Sequence, residues 1–211
     1  MNRLALLAAA LSATMLTPAC SVMGVLSGGP KRDVFELRAP GPAMACTRNR
    51  VAELVVETPK ASGPLDTERI LVRPGPLQIQ YLPDADWGDS VPVMVQTLMV
   101  RKLAAYPVFS HVGRAPLGNA GDYALLSEIN DFSAVIEGGG AIITLRLAAQ
   151  IVDERSARIT ARRDFTAQAP VTSTATPALI EGFDLAGRQL FDQVGDWAAG
   201  ALNGGCRPTG A

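Results

Sequence analysis

The stretch AIITLRLAAQIVDERSARITARRDFTA, residues 141–167, carries the cleanest period in the chain. Ile143, Leu145, Leu147, Ala149 and Ile151 fall on one side of an extended segment, and Thr144, Arg146 and Gln150 fall on the other. Successive side chains of a strand point to opposite faces, so this alternation describes a half-buried strand over Ala141–Val152. Asp153 to Ser156 is a hairpin-length connection. A partner strand over Ala157–Ala167 repeats the pattern, with Ile159, Ala161 and Phe165 set against Arg158, Thr160, Arg162 and Asp164. The hairpin therefore belongs to a sheet with one core face and one wet, arginine-bearing face.

Two further strands precede it, over Val108–Arg114 and Asp122–Phe132, with Gly138-Gly139-Gly140 as a flexible hairpin turn. Shorter strands are expected at Val34–Arg38, Val51–Glu57, Arg69–Arg73 and Leu77–Tyr81. Pro59 to Pro64 breaks the second of these. Pro74-Gly75-Pro76 splits the last two and puts them near a sheet edge, where proline is tolerated. A helix capped by Asp89 or Ser90, with Pro92 in its first turn, runs to about Tyr106. Val91, Met94, Val95, Leu98, Met99 and Leu103 give it a wide apolar surface, with Gln96, Thr97, Arg101 and Lys102 as its polar side. Thr176-Pro177 opens a second helix, whose stripe is Leu179, Phe183, Ala186, Leu190, Val194 and Trp197. Glu181, Asp184, Arg188 and Asp192 line its opposite side. The expected fold is α/β of the α+β kind: one domain, a mixed, mostly antiparallel sheet, and two main helices packed on it.

Residues 1–19 are set apart as a signal peptide: Arg3 is the positive n-region and Leu4–Leu16 an apolar stretch too short to span a bilayer. Thr17-Pro18-Ala19-Cys20 then places small residues before a cysteine, as a lipoprotein signal peptidase requires, although Thr17 stands where the usual lipobox has leucine. Cys20 is the expected lipidation site. Cleavage by ordinary signal peptidase, releasing a soluble periplasmic protein, is the alternative. Ser21 after the cysteine permits transfer to the outer membrane, and several acyl chains make such anchoring stable. Residues 20–32 form a glycine-containing tether, 33–200 the domain and 201–211 a C-terminal tail. With Cys20 acylated, Cys46 and Cys206 remain as a matched pair that can form a disulfide in an oxidising compartment. Two unrelated buried thiols are the plainer alternative.

The composition is that of a globular chain: 211 residues, 48% hydrophobic, 18% charged, with a net charge of -1 that gives no reason to expect a nucleic-acid partner. The sequence offers little chemistry. His111 is the only histidine and lies inside an expected strand, with no HExxH, CxxC or GxSxG nearby. No Lys-Ser or Lys-Thr follows the three glycines, and Asp84, Asp86 and Asp89 do not match a calcium loop and are read as turn and cap residues. No catalytic residue, metal site or cofactor is expected. Arg146, Arg158 and Arg162, with Arg163, form an arginine-bearing face that could dock an acidic partner or lipid head groups. A solvated face balanced by Asp153, Glu154 and Asp164 is the blander reading. Met94 and Met99 could line a lipid groove or simply pack the core.

The run RILVRPGPLQIQYLPDADWGDSVPVMVQTLMVRKL, residues 69–103, resembles the ABC-type transport auxiliary lipoprotein family. The likeness rests on the strand Arg69–Arg73, on Tyr81 ending the next strand and on Trp87 just ahead of the helix. It continues at Asp122-Tyr123, Glu128-Ile129-Asn130-Asp131-Phe132 and the final helix with Phe183, Ala186 and Trp197. It spans roughly Asp33 to Trp197. The resemblance implies a non-catalytic periplasmic component of a system moving phospholipid or other hydrophobic cargo. Its implied partners are a mammalian-cell-entry (MCE) domain protein and the ABC permease and ATPase of the transporter, with the membrane held through the lipid anchor and a homo-oligomer as a further expectation. Two readings from other classes stand beside it. One is a structural or assembly lipoprotein of another envelope complex; the other is a periplasmic hydrolase, for which the residues are missing.

Overall fold

The computed structural model of the chain describes residues 31–38, 41, 45–46, 52–114, 121–202 and 206–207. The expected hairpin is present as β9 (Gly140–Asp153) and β10 (Arg158–Val171), paired antiparallel from Arg158↔Asp153 to Val171↔Ala141. Before them runs β8 (Tyr123–Glu137), which extends five residues past the expected end at Phe132 and pairs antiparallel with β9 along its whole length. Gly138 and Gly139, at φ 57° and 86°, make the β8–β9 turn. Both central positions of that turn need the left-handed region, which glycine enters without penalty.

The other edge of β8 is shared by three short parallel strands in succession. These are β3 (Ala52–Val56) at Tyr123–Leu125, β4 (Lys60–Ala61) at Glu128–Ile129 and β5 (Arg69–Gly75) at Ser133–Val135. Segment 52–73 is thus one interrupted companion of β8. Its middle piece, β4, lies where Pro59 and Pro64 suggested only a break. β7 (Phe109–Arg114) flanks β3 in parallel, and β6 (Gln78–Trp87) flanks β5 antiparallel. β1 (Asp33–Phe35) runs parallel to the end of β6. These nine strands form one mixed sheet, in which three antiparallel pairings carry most of the register. β2 (Ala45–Cys46) and β11 (Cys206–Arg207) form a separate two-stranded pair. Strand structure therefore occurs within residues 201–211, which the sequence assigned to a C-terminal tail.

Both helices lie on one face. α2 (Thr176–Ala201) packs on β9 and β10, and α1 (Val91–Ala104) packs on α2, β3 and β7. Ile143, Leu145, Leu147, Ala149 and Ile151 are buried beneath α2 together with Leu179, Phe183, Ala186, Leu190 and Val194, so the two periodic stripes meet as expected. Trp87, Phe132 and Phe183 close the centre of this core: Trp87 stands edge-on to both phenyl rings at 6.0 and 5.2 Å, and the phenyl rings stack at 5.5 Å. Each such aromatic pair adds about 0.5–1.5 kcal/mol beyond the area it buries. Met94 and Met99 are ordinary members of the same core.

Four local expectations are overturned. Neither Asp89 nor Ser90 caps α1 with its side chain. Instead the Val91 N–H donates to Thr67 O at 3.1 Å, and Pro92 has no N–H to satisfy. Gln96 and Lys102, placed on the polar side of α1, are buried: the Gln96 amide donates to Val56 O at 2.8 Å, and the Lys102 ammonium pairs with Asp192 of α2. Asp184, placed on the polar side of α2, is also buried. Ile159 is 58% exposed because a register shift between Ile159 and Ala161 turns it away from the core.

Candidate functional site

The face of β8–β9–β10 opposite the helices is built in rows set by the register. Leu126, Gln150 and Arg162 share one row. Glu128, Ala148 and Asp164 share the next, with Lys60 of β4 opposite Glu128. Asp131, Arg146 and Thr166 make the third, and Ser133, Thr144 and Gln168 the fourth. In the fourth row the hydroxyls of Ser133 and Thr144 are buried and satisfied. Ser133 Oγ donates to Asp131 Oδ1 at 2.7 Å and accepts from Arg73 Nε at 3.2 Å, while Gln168 Nε2 donates to Thr144 Oγ1 at 3.3 Å. This end of the face is a tied polar strip.

The other end is open. Lys60, Leu126, Glu128, Ala148, Gln150 and Arg162 line a cleft of about 190 Å³. A wider hollow of about 570 Å³ adjoins it, shares Lys60 and Leu126, and adds the apolar Ala124 and Val152 with Glu57 and Glu154. Among the described residues, neither Lys60, Arg146 nor Arg162 forms an ion pair. Among the described residues, Asp153, Glu154 and Asp164 form no ion pair with these cations either. Asp153 instead accepts from the Ser156 N–H and hydroxyl at 2.8 and 3.0 Å, bonds that hold its carboxyl below the usual range. The face therefore presents unpaired cations and carboxylates beside small apolar side chains, an arrangement suited to docking a partner.

The structure brings Arg146 and Arg162 onto this face two rows apart. Arg158 pairs in register with Asp153, on the opposite face, because the same shift that exposes Ile159 reverses it. Arg163 also faces away and lies over the Phe165 ring, 5.4 Å from its centroid. Lys60 was missed, since a two-residue strand has no period to detect. His111 is exposed on β7 in register with Glu53. Among the described residues, no group of three or more His, Cys, Asp and Glu could hold a metal ion, and no helix is long and apolar enough to cross a membrane. Asp86, expected in a turn, instead joins Arg32 at 3.0 Å and Arg69 at 3.6 Å. Cys20 lies outside the described residues. Cys46 and Cys206 are Cα partners in the β2–β11 pair.

One polar contact unforeseen from sequence ties the start of the domain to α2. Asp184 accepts from the Arg38 N–H and Nε, both at 2.9 Å, and Arg188 approaches its carboxylate at 3.3 Å. Burial pushes the Asp184 carboxyl up, but the hydrogen bonds from Arg38 and the Arg188 charge together outweigh it and hold the group below the usual carboxylate range.

Trp87, Phe132 and Phe183, which are separated in sequence, carry the most recognisable residues of the chain into one buried cluster. These features define an α+β domain whose most recognisable residues lie in its core. The chain belongs to the family of ABC-type transport auxiliary lipoprotein components, whose model matches residues 35–195. It is 26% identical over 180 residues to an uncharacterized protein of Bradyrhizobium diazoefficiens, covering 83% of this chain and 47% of that protein; the chain thus spans about half the length of this curated relative. A crystallised protein from Xanthomonas campestris superposes with a TM-score of 0.71 at 26% identity, covering 81% of this chain and 97% of the other. A second crystallised protein, at 12% identity and a TM-score of 0.61 over 80% of this chain and 99% of its own, shares the fold.

Proposed function

We propose that the protein is a non-catalytic auxiliary lipoprotein of an ABC transporter of the MCE type, anchored through acylated Cys20 on the periplasmic face of the outer membrane. The observation that carries this reading is the family match, which runs through nearly the whole domain from Phe35 to Gly195. The cargo is phospholipid or another hydrophobic molecule, and the partners are the MCE-domain protein and the permease and ATPase of the transporter. Within the domain, Arg146 and Arg162, with Lys60 between their rows, supply charge for contact with a partner or lipid head group. Rim charges of this kind act mainly on the rate and salt dependence of association.

The test is a gentle detergent pull-down of the tagged full-length protein, followed by mass spectrometry of the co-purifying chains. Recovery of an MCE-domain protein or its ABC subunits, lost in a Cys20→Ala variant, is the expected result. Recovery of unrelated envelope proteins alone overturns the transport reading. In the same assay Lys60→Glu with Arg162→Glu should reduce recovery in a salt-dependent way without lowering Tm.

A further inference from the structure

The hairpin joining β5 and β6 ends in Pro74-Gly75-Pro76-Leu77, and its apolar residues face water. Leu77 is fully exposed and Ile79 is 41% exposed, two positions apart on one hairpin, whereas the other exposed large apolar residues described, Val34, Ile159 and Leu185, lie on separate elements. Pro74 to Pro83 contains no charged residue between Arg73 and Asp84, and within it Pro76 to Gln80 form an exposed, uncharged tip. An isolated exposed leucine needs no explanation. An uncharged, proline-tipped arm that holds leucine and isoleucine out in solvent does.

β1 indicates what the arm meets. It pairs parallel to β6 with Asp33 opposite Ala85, so the chain enters the fold travelling away from the hairpin tip. The Arg32 guanidinium donates to Leu82 O at 2.9 Å, three residues nearer that tip than Ala85. The covalent path back to Cys20 therefore starts on the tip's side of Asp33. Eight strand residues separate Ala85 from Leu77, or about 25 Å at the rise of a strand. Thirteen residue steps separate Cys20 from Asp33, with a reach of at most about 45 Å. An acylated Cys20 can thus sit in a bilayer while the tip touches the surface of the same bilayer.

We propose that the β5–β6 hairpin tip, with Leu77 and Ile79 as its apolar contacts, rests in the interface of the phospholipid bilayer that holds the anchor. This contact would fix the orientation of the domain, leaving the long β8–β9–β10 sheet to project toward partners. The proposal rests on the reading of Cys20 as the anchor. Carrying no charge, the arm enters the interface without the cost of desolvating an ion.

The experiment uses the full-length chain with Leu77→Cys, labelled with bimane and bound to vesicles of phosphatidylethanolamine and phosphatidylglycerol. Mass spectrometry of the N-terminal peptide records acylation of Cys20, and the unsubstituted chain taken through the same labelling gives the background from Cys46 and Cys206. The expected result is blue-shifted emission and loss of quenching by aqueous iodide at position 77, repeated with Ile79→Cys. The same label at Ile159→Cys, on the far side of the sheet, stays quenched. Equal iodide access at 77 and 159 on vesicles overturns the proposal. So does protection at 77 that appears only when a protein partner is added, which assigns the tip to that partner. If Cys20 carries no acyl chain, the anchoring reading fails by itself. The tip is then judged by the same criterion on a chain held by an N-terminal hexahistidine tag to chelating lipid. Recovery of transporter subunits in the pull-down is independent of either outcome.

Discussion

Asp184 is the residue whose role departs most from its place in the sequence pattern. By helical position it belongs with Glu181, Arg188 and Asp192 on the wet side of α2, yet Arg38 closes over it and the carboxylate is buried. Its folded pKa lies below the ordinary value, so its contribution to stability is fully present above about pH 3.9 and is lost as pH falls through the folded value. Asp184→Asn should therefore cost about 1–3 kcal/mol at pH 7, since the charge-assisted bonds from Arg38 weaken. The gap in Tm from the parent chain should narrow as thermal melts are taken below about pH 4. A gap that stays constant with pH would show that Asp184 acts by shape alone. Ile159 is the reverse case: an apolar residue in phase with the core stripe, turned outward by a one-residue shift that hydrophobicity does not encode.

At the scale of the element, α2 is specified by its apolar stripe and tuned by close approach. A Cβ on Gly195 would lie 2.6 Å from the Tyr106 hydroxyl and 2.7 Å from its ring. That tyrosine cannot readily yield, being fully buried with its hydroxyl donating to Asp196 at 2.6 Å. Gly200, in the last turn of the same helix, has open space around it. Replacing a helical glycine by alanine ordinarily gains about 0.5–1 kcal/mol, and overpacking a core costs about 1–3 kcal/mol. Gly195→Ala should thus lower Tm while Gly200→Ala leaves it unchanged or raises it, as thermal melts of the two variants will show. Of the elements themselves, α1, α2, β7, β9 and β10 were legible because each carries several turns or alternations of its own period. β4 was not, because two residues become a strand only when β8 supplies the other half of the ladder. The same holds for the last five residues of β8, Ser133–Glu137, whose pairing with Thr144–Gly140 extends the strand beyond the point its own pattern marked.

At the scale of the whole molecule, the β2–β11 pair brings together two segments from opposite ends of the domain. Cys46 and Cys206 are register partners, and antiparallel partners have Cα atoms about 4.5–5.5 Å apart, inside the range a disulfide spans. We propose that they are bridged in the exported protein. The bridge would close a loop of about 160 residues and add at most about 5 kcal/mol. Reductant should lower the Tm of the parent chain and have no effect on Cys46→Ser, whose Tm should equal that of the reduced parent. A parent chain whose melting is indifferent to reductant would show two free thiols.

Within a single strand or helix, the sequence by itself determined which residues face the core, because apolar periodicity is written locally: Leu145, Leu147 and Phe183 could be placed before any partner was known. It also held the resemblance to the family, in the order of Trp87, Phe132 and Phe183 along the chain, though not their meeting. Tertiary structure alone decided three things: that those rings converge, that β3, β4 and β5 share one edge of β8, and that Lys60 joins Arg162 on the exposed face. The same level decided which polar groups are buried, as with Gln96, Lys102 and Asp184. Each of these depends on pairing between segments tens of residues apart. No local period encodes such a pairing; it is settled when the sheet register forms and each buried polar group must find its partner.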